Sequence, residues 1–452
     1  MSHSADFEPE FDAESPWTAL KGVSSVRVAP AEGPLIAEVT VPGSKSFSNR
    51  ALILAGFAEG ESVLTGLLKS DDTYWCADAI TRLGARVRFD GDICTITGIG
   101  RDRPVSDGRL HVGSAGTIAR FLPGFLVAGG AGEWTITSSR QMARRPVGPL
   151  FDALKSGGAA ITSLGQADCY PAKFRGGSFA GGRLEMAGNV SSQFISGLLL
   201  AAPHTREGVE LAVTSSIVQS DYVRITIETM NQFGVDVVVN DEFNRFSVNP
   251  QPYRGMTLAV EADASTATYF AALAAVTRGD IILANIGEGT RQPDFGFIAI
   301  LARLGCTVEK GAGWTRIVCS GPLKGGFEIN MKPLSDATLT LAAIAPFADA
   351  PIAITNVGHI RHHESDRIAA ICTELARAGI KVEEHPDGLT VYPGTPRFAV
   401  HETYEDHRVA MALAVMGAGG AGAELKNPGC VSKTCPSFFD ELAKLGIGVS
   451  AR

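Results

Sequence analysis

One unit recurs six times along the 452 residues of the chain. A short strand leads into a turn of polar and small residues, and a helix follows. Then come a strand, a second helix ending at or near Leu-Gly or Gly-Gly, and a β-branched strand, usually with a hairpin partner. The first helices start near Ser44, Ser114, Ser191, Asp263, Asp336 and Asp406, at spacings of 70, 77, 72, 73 and 70 residues. The second helices end near Gly84, Gly157, Gly234, Gly305, Gly379 and Gly446. Two independent landmarks keeping one period define a repeat, which constrains the fold more than any single motif. Solenoid units usually run about 20–50 residues, and these are longer. A mixed sheet-and-helix unit of this size forms a core with two siblings, so two three-unit domains are expected rather than a stack.

The local chemistry agrees. Phe47, Ala51, Leu54 and Ala55 make one face of the first helix. Ser70 reads as an N-cap, with Asp71 and Asp72 in the first turn where the helix dipole favours acids. Leu83-Gly84 then reads as a left-handed stop, as does Gly379 after Ile368, Ile371 and Leu375. Segments such as VRF/CTIT, VDVVV/RFSV, CTV/RIVC and KVEE/LTV supply hairpins. Each unit therefore reads βαβαββ in an α/β fold. The sixth unit runs out of chain after Gly446, whereas strands around Val26 and Ile36 to Val41 are spare. The expected division is residues 44–260 for units one to three, and 24–43 with 261–452 for units four to six. The chain then crosses twice between domains, near Pro42-Gly43 and Glu261-Ala262, which makes a hinge.

Five acids in the first fourteen residues mark residues 1–23 as a disordered acidic leader. That segment lacks the basic and then apolar regions of a secretory signal. No apolar run reaches the roughly 20 residues of a membrane helix. Eight scattered cysteines without a CxxC pair read as buried or incidental thiols in a reducing cytoplasm. Net charge is −8 with no basic stripe, which argues against nucleic acid as a partner.

Polar and cationic residues gather at the starts of the first helices. They are Lys45, Ser46 and Arg50 in PGSKSFSNR; Gly116, Thr117 and Arg120 in GSAGTIAR, followed by Arg144 and Arg145; Ser191, Ser192 and Gln193 in NVSSQF; Asp336 in LSDAT, followed by HIRHHESDR; and His407 and Arg408 in YEDHR, followed by Lys433 in VSKT. A helix N-terminus offers free N–H groups and a partial positive charge. Small residues let an anion approach, and Lys or Arg adds full charge. Each motif alone suits an ordinary cap or turn; such residues at five of the six equivalent positions together point to phosphates and carboxylates. His359 and His363 could share a helix face, but no third ligand has a suitable spacing and Arg361 and Arg367 repel a cation, so no metal is expected.

These motifs, in order from about Pro34 to Gly446, resemble the 5-enolpyruvylshikimate-3-phosphate synthases. The resemblance implies two domains of three βαβαββ units each, the inside-out α/β barrel of the enolpyruvyl transferases, closing over the substrates. It implies that Ser46, Arg50, Ser191 and Ser192 hold shikimate 3-phosphate, that Lys45 reaches both substrates, and that Gln193 lies between them. Gly116, Arg145, Arg367, Arg408 and Lys433 match positions around phosphoenolpyruvate, with His407 beside them. Asp336 matches the base at the acceptor 5-hydroxyl, and Glu364 the acid-base at the phosphoenolpyruvate methylene. Two histidines depart from the pattern: His363 stands where a Lys is frequent, and His359 where an Asn is. Gln219, Ser220 and Asp221 replace the usual Ser-Lys-Pro before Tyr222.

The implied activity transfers the enolpyruvyl group to the 5-hydroxyl of shikimate 3-phosphate and releases phosphate, on the route to chorismate and the aromatic amino acids. It needs no metal or organic cofactor. A glycine at position 116 implies inhibition by glyphosate, competitive with phosphoenolpyruvate. The expected setting is a cytoplasmic monomer. Two alternatives stand beside this reading. A UDP-N-acetylglucosamine enolpyruvyl transferase typically has Lys-Asn where this chain has Lys45-Ser46, and a loop cysteine where none lies between Cys94 and Cys169. A non-catalytic anion-binding repeat protein has no use for both Asp336 and Glu364.

Overall fold

The computed structural model describes residues 13–102 and 104–452. The chain divides into two compact units. One is Gly43–Val260 with the described residues up to Trp17; the other is Thr18–Pro42 with Glu261–Arg452. Each unit holds three four-stranded sheets of one topology: a parallel pair at one edge, then two antiparallel neighbours. In the second repeat, Gly108–His111 runs parallel to Glu133–Thr137, which pairs antiparallel with Ala172–Arg175, and that strand with Ile161–Ser163.

Two sheets borrow a first strand from a distant stretch of chain. Ile36–Val39, the strand leading into the first helix, lies parallel to Asp280–Leu283 in the fourth repeat. Thr257–Ala259, which leads into the fourth helix, lies parallel to Glu61–Thr65 in the first. Ser25–Val28 takes the third position of the sixth sheet, antiparallel to both Ala423–Lys426 and Val449–Ala451. The chain therefore re-enters its first sheet only after three repeats.

The repeat's first helices are buried on nearly every side. All but Lys45 and Ser46 of Lys45–Phe57 are buried, all but Ala128 of Gly116–Ala128, and all but Thr277 of Ala264–Thr277. A helix without a polar stripe belongs in a core. Within each unit the first helices pack on one another, through residues as small as glycine. A Cβ at Gly197 would meet the Arg120 carbonyl oxygen at 2.0 Å, and one at Gly124 the Ala201 methyl at 2.6 Å. The second helices each bury one face, as Arg367–Arg377 does with Ile368, Ile371 and Leu375. Helices inside and sheets outside, three repeats to a unit, make each an inside-out α/β barrel.

Local punctuation sets the repeat. Ser70 and Thr73 form a capping box ahead of Asp71–Arg82. Ser191, Asp263 and Asp406 accept backbone N–H groups at the first turns of their helices. Gly84, Gly234, Gly305, Gly379 and Gly446 all have positive φ, as a left-handed stop requires. Two landmarks shift. In the second repeat the left-handed residue is Gly158, one past Gly157. In the fifth, Asp336 sits inside a 3-10 turn, Lys332–Ala337, and the helix itself starts at Thr338.

Two expectations need correcting. Residues 1–12 of the acidic leader lie outside the described residues, but residues 13–23 are not a solvated tail. Ser15 is buried and donates from Oγ to Asp71 Oδ1 (2.6 Å), and the Ala13 carbonyl accepts from Trp75 Nε1 (3.2 Å). The Trp17 ring packs edge-on to Tyr74 and Phe89. Asp71, read as a dipole-facing acid, thus anchors a serine, and one tryptophan outweighs a run of acids. Nor are all the cysteines free. Cys306 and Cys319 flank the antiparallel strands Thr307–Gly311 and Trp314–Val318 and form a disulfide, with Cα atoms 4.5 Å apart. The other six are free thiols.

Candidate active site

In the first unit, three helix starts carry the expected residues. Lys45 opens its helix behind Ser44, with Nζ 3.9 Å from Asp72 Oδ2. One turn on, Arg50 is 1% exposed. It donates from Nε to Thr226 Oγ1 (2.8 Å), from Nη1 to the Ser46 carbonyl (2.9 Å), and from Nη2 to the Tyr222 carbonyl (3.1 Å) and Ser196 Oγ (3.5 Å). All four acceptors are neutral. Burial pushes the guanidinium down to about 10, a sign of positive charge held without a carboxylate. Arg50 thereby ties the Ser46 turn to two helices, Ser192–Ala201 and Asp221–Gln232. The Gln219 turn ahead of Tyr222 has positive φ, and it is the Tyr222 carbonyl that faces Arg50.

Gly116 opens the second helix between two guanidinium groups. A Cβ there would lie 2.7 Å from Arg120 Nη1 and 3.0 Å from Arg145 Nη1. Arg120 Nη1 also donates to the Gly116 carbonyl (3.0 Å). The glycine is there for space, since its φ is not in the left-handed region. At the third start, Ser191 Oγ accepts from the Gln193 N–H (3.3 Å) and Ser192 is buried. Gln193 Oε1 is buried with no hydrogen-bond partner among the described residues.

In the second unit, six expected residues meet in one network. Arg367, 1% exposed, lies at its centre. Its Nη1 donates to Asp336 Oδ1 (3.0 Å), its Nη2 to Glu364 Oε2 (2.8 Å), and its Nε to Asp406 Oδ2 (2.8 Å). Arg408 Nη2 donates to Asp336 Oδ2 (2.9 Å), and Lys433 Nζ to Glu364 Oε1 (2.9 Å). Burial alone would lower the Arg367 pKa, but the Asp406, Glu364 and Asp336 carboxylates outweigh it and raise it above its usual value. Three cations balance three carboxylates. Arg367 Nη1 also donates to His363 Nδ1 (3.0 Å); a guanidinium only donates, so the ring proton sits on Nε2. His407 is buried, with Nδ1 3.7 Å from Asp406 Oδ1. His359 Nε2 pairs with Ser335 Oγ (2.9 Å), and burial lowers its pKa.

Two carboxylates of this cluster escaped the reading of the sequence. Asp406 marked a helix start, and it does cap the Arg408 N–H (2.9 Å), but the same carboxylate also holds Arg367. Asp294 carries no motif. It is buried, hydrogen-bonded to the Ser265 hydroxyl, and pushed up to about 7, first by burial and then by the charge of Asp336.

Carboxylates held among buried cations in one unit, and a buried guanidinium without a carboxylate in the other, suit an enzyme that handles phosphates and carboxylates. The family model that matches residues 30–442 is EPSP synthase (3-phosphoshikimate 1-carboxyvinyltransferase), and the chain belongs to that family. It is 48% identical over 440 residues to 3-phosphoshikimate 1-carboxyvinyltransferase 2 of Halalkalibacterium halodurans, covering 97% of this chain and 98% of that one. It is 39% identical over 415 residues to the 3-phosphoshikimate 1-carboxyvinyltransferase of a Nostoc species, covering 91% and 97%. A solved EPSP synthase from Acinetobacter baumannii superposes with a TM-score of 0.79 at 25% identity, covering 95% of this chain and all of the other.

Proposed function

We propose a division of labour among these residues for the family's reaction, enolpyruvyl transfer from phosphoenolpyruvate to shikimate 3-phosphate. Ser46, Arg50, Ser191 and Ser192 hold shikimate 3-phosphate; Lys45 and Gln193 touch both substrates. Gly116, Arg145, Arg367, Arg408 and Lys433 surround phosphoenolpyruvate. The buried, carboxylate-free charge of Arg50 supports the first assignment, because such a cation gains most when an anion arrives. The unpartnered Gln193 oxygen supports a donor from substrate.

The 5-hydroxyl oxygen attacks C2 of phosphoenolpyruvate, its proton passing to Asp336, while Glu364, having first taken a proton from solvent as substrate draws Arg367 and Lys433 away from it, gives that proton to C3, which becomes a methyl. The C2–O bond to phosphate then breaks as C3 returns a proton to Glu364, restoring the double bond. Cations meet the charge that moves onto the leaving phosphate. The observation that carries this reading is the Arg367 network, in which the two acids of opposite duty share one guanidinium. His363, with its proton on Nε2, donates to the acceptor side, and His407 stands behind Arg408.

The protein is further proposed to act as a monomer in the cytoplasm; six free thiols fit a reducing compartment, and the Cys306–Cys319 disulfide weighs against it. No helix among the described residues is long and apolar enough to cross a membrane. Phosphate release measured with phosphoenolpyruvate and either shikimate 3-phosphate or UDP-N-acetylglucosamine tests the function. Turnover with the first acceptor alone is expected, and turnover with the second, or with neither, would overturn it.

A further inference from the structure

A further buried carboxylate, Glu374, accepts a hydrogen bond from the turn that leads into Asp406, His407 and Arg408. Glu374, in the helix Arg367–Arg377, and His401, in the strand Val400–His401, are both fully buried. Glu374 Oε2 lies 2.8 Å from His401 Nδ1, its Oε1 accepts from the Tyr404 hydroxyl (2.8 Å), and Arg377 Nε is 3.5 Å away. His401 Nε2 is buried without a hydrogen-bond partner among the described residues. A proton there would be stranded, so the ring carries its proton on Nδ1 and donates it to Glu374.

What this carboxylate holds is a strained turn. Tyr404 and Glu405 have φ of +56° and +54°, consecutive left-handed residues with neither a glycine nor an asparagine. The turn closes with the Asp406 N–H on the Thr403 carbonyl (2.9 Å), and Thr403 Oγ1 donates to the Lys426 carbonyl (2.9 Å). Such a conformation persists only where its surroundings over-determine it. The next residue, Asp406, orients Arg367 and caps the helix that begins with His407 and Arg408.

We infer that Glu374, His401 and Tyr404 form a clamp that positions Asp406 and Arg408 for phosphoenolpyruvate by locking the 403–406 turn. The inference rests on the substrate assignment above. None of the three is a catalytic residue; they act through Asp406. Tyr404→Phe removes one hydroxyl and keeps the ring. Amide hydrogen exchange at residues 406–408 should speed up about tenfold, the value of one hydrogen bond to a charged group, with the rest of the unit unchanged. The KM for phosphoenolpyruvate should rise by a similar factor while that for shikimate 3-phosphate stays within about twofold. Glu374→Gln, which keeps the volume, should move the same exchange segment. Unchanged exchange in both variants overturns the clamp. Faster exchange with both KM values equally affected, or neither, overturns its role in positioning. If the unaltered enzyme does not turn over shikimate 3-phosphate, the functional reading fails, and the exchange measurement still decides whether the turn is clamped.

Discussion

Gly116→Ala tests whether the second helix start is a site of close approach. The added methyl would lie 2.7 Å from Arg120 Nη1 and 3.0 Å from Arg145 Nη1. That is about 0.7 and 0.4 Å inside the 3.4 Å edge of ordinary contact. Both obstacles are the ends of flexible side chains, so they move and the fold survives. Arg120 also loses its hold on the Gly116 carbonyl. If the displaced guanidinium forfeits one charge-assisted hydrogen bond to phosphoenolpyruvate, the loss is about 1.5–3 kcal/mol, a rise in KM of roughly 10- to 100-fold. Glyphosate, if it occupies the same place, should weaken in parallel.

The same change leaves backbone conformation alone. Position 116 has no positive φ, and alanine is the better helix former by up to about 1 kcal/mol. The melting temperature should therefore hold or rise while KM for phosphoenolpyruvate climbs and KM for shikimate 3-phosphate does not. Steady-state kinetics with each substrate varied in turn, beside a thermal melt, read all three. An unchanged KM for phosphoenolpyruvate would refute the placement of that substrate against Gly116 and Arg145. A fall in melting temperature with both KM values raised would mean that the methyl disturbs the helix packing instead.

Glu364→Gln should lower kcat by about 100- to 10,000-fold and slow solvent deuterium exchange into the phosphoenolpyruvate methylene; because Glu364 accepts from both Arg367 and Lys433 and an amide oxygen replaces only one acceptor, near-normal exchange would be decisive against the role. Arg50→Met should abolish the stabilisation by shikimate 3-phosphate, about 2.7 kcal/mol at a hundredfold excess over Kd, and a retained ligand-induced shift in Tm would remove Arg50 from that site. Asp294 has a folded-state pKa raised to about 7, so its contribution is full below about pH 4 and is lost as pH rises toward 7; Asp294→Asn should flatten the fall in Tm between about pH 4 and 7, and identical pH profiles would contradict the buried, proton-holding carboxyl.

The repeat was legible because its punctuation is local. A capping side chain and a left-handed glycine are each decided within a few residues, so Ser70 and Gly84 announce themselves in the sequence. Where a local rule had two solutions, the position slipped by a residue or so: Gly157 and Gly158 both allow the stop, and the backbone uses the second. Counting strands pointed to Ser25–Val28 as a completing strand. Its place between Ala423–Lys426 and Val449–Ala451 is a matter of pairing across some 400 residues, which no local pattern encodes. The first residues after the acidic run were misjudged because composition was weighed over the segment. Trp17 and Ser15 find partners one at a time, on Tyr74, Phe89 and Asp71.

The site divides along the same line. Residue types at helix starts announce an anion, since the chemistry of a phosphate cradle is short-range. How the charges are balanced is not announced, because the partners are far apart in sequence: Arg367 and Asp336 are 31 residues apart, Lys433 and Glu364 are 69, and Arg408 and Asp336 are 72. The consequence is mechanistic. The cations expected to await substrate are already spent on Asp336, Glu364 and Asp406, and a dianionic or trianionic ligand has to compete with those carboxylates for them. Asp406 is fully buried and holds Arg367 through two nitrogens, so it does not let go. Asp336 and Glu364 each keep some exposure, so on the proposed roles they are the two that share their cations with the ligand. On the roles proposed above, substrate binding would loosen the two carboxylates that exchange protons and leave the third as an anchor, so that the arrival of the anion readies the base and the acid together.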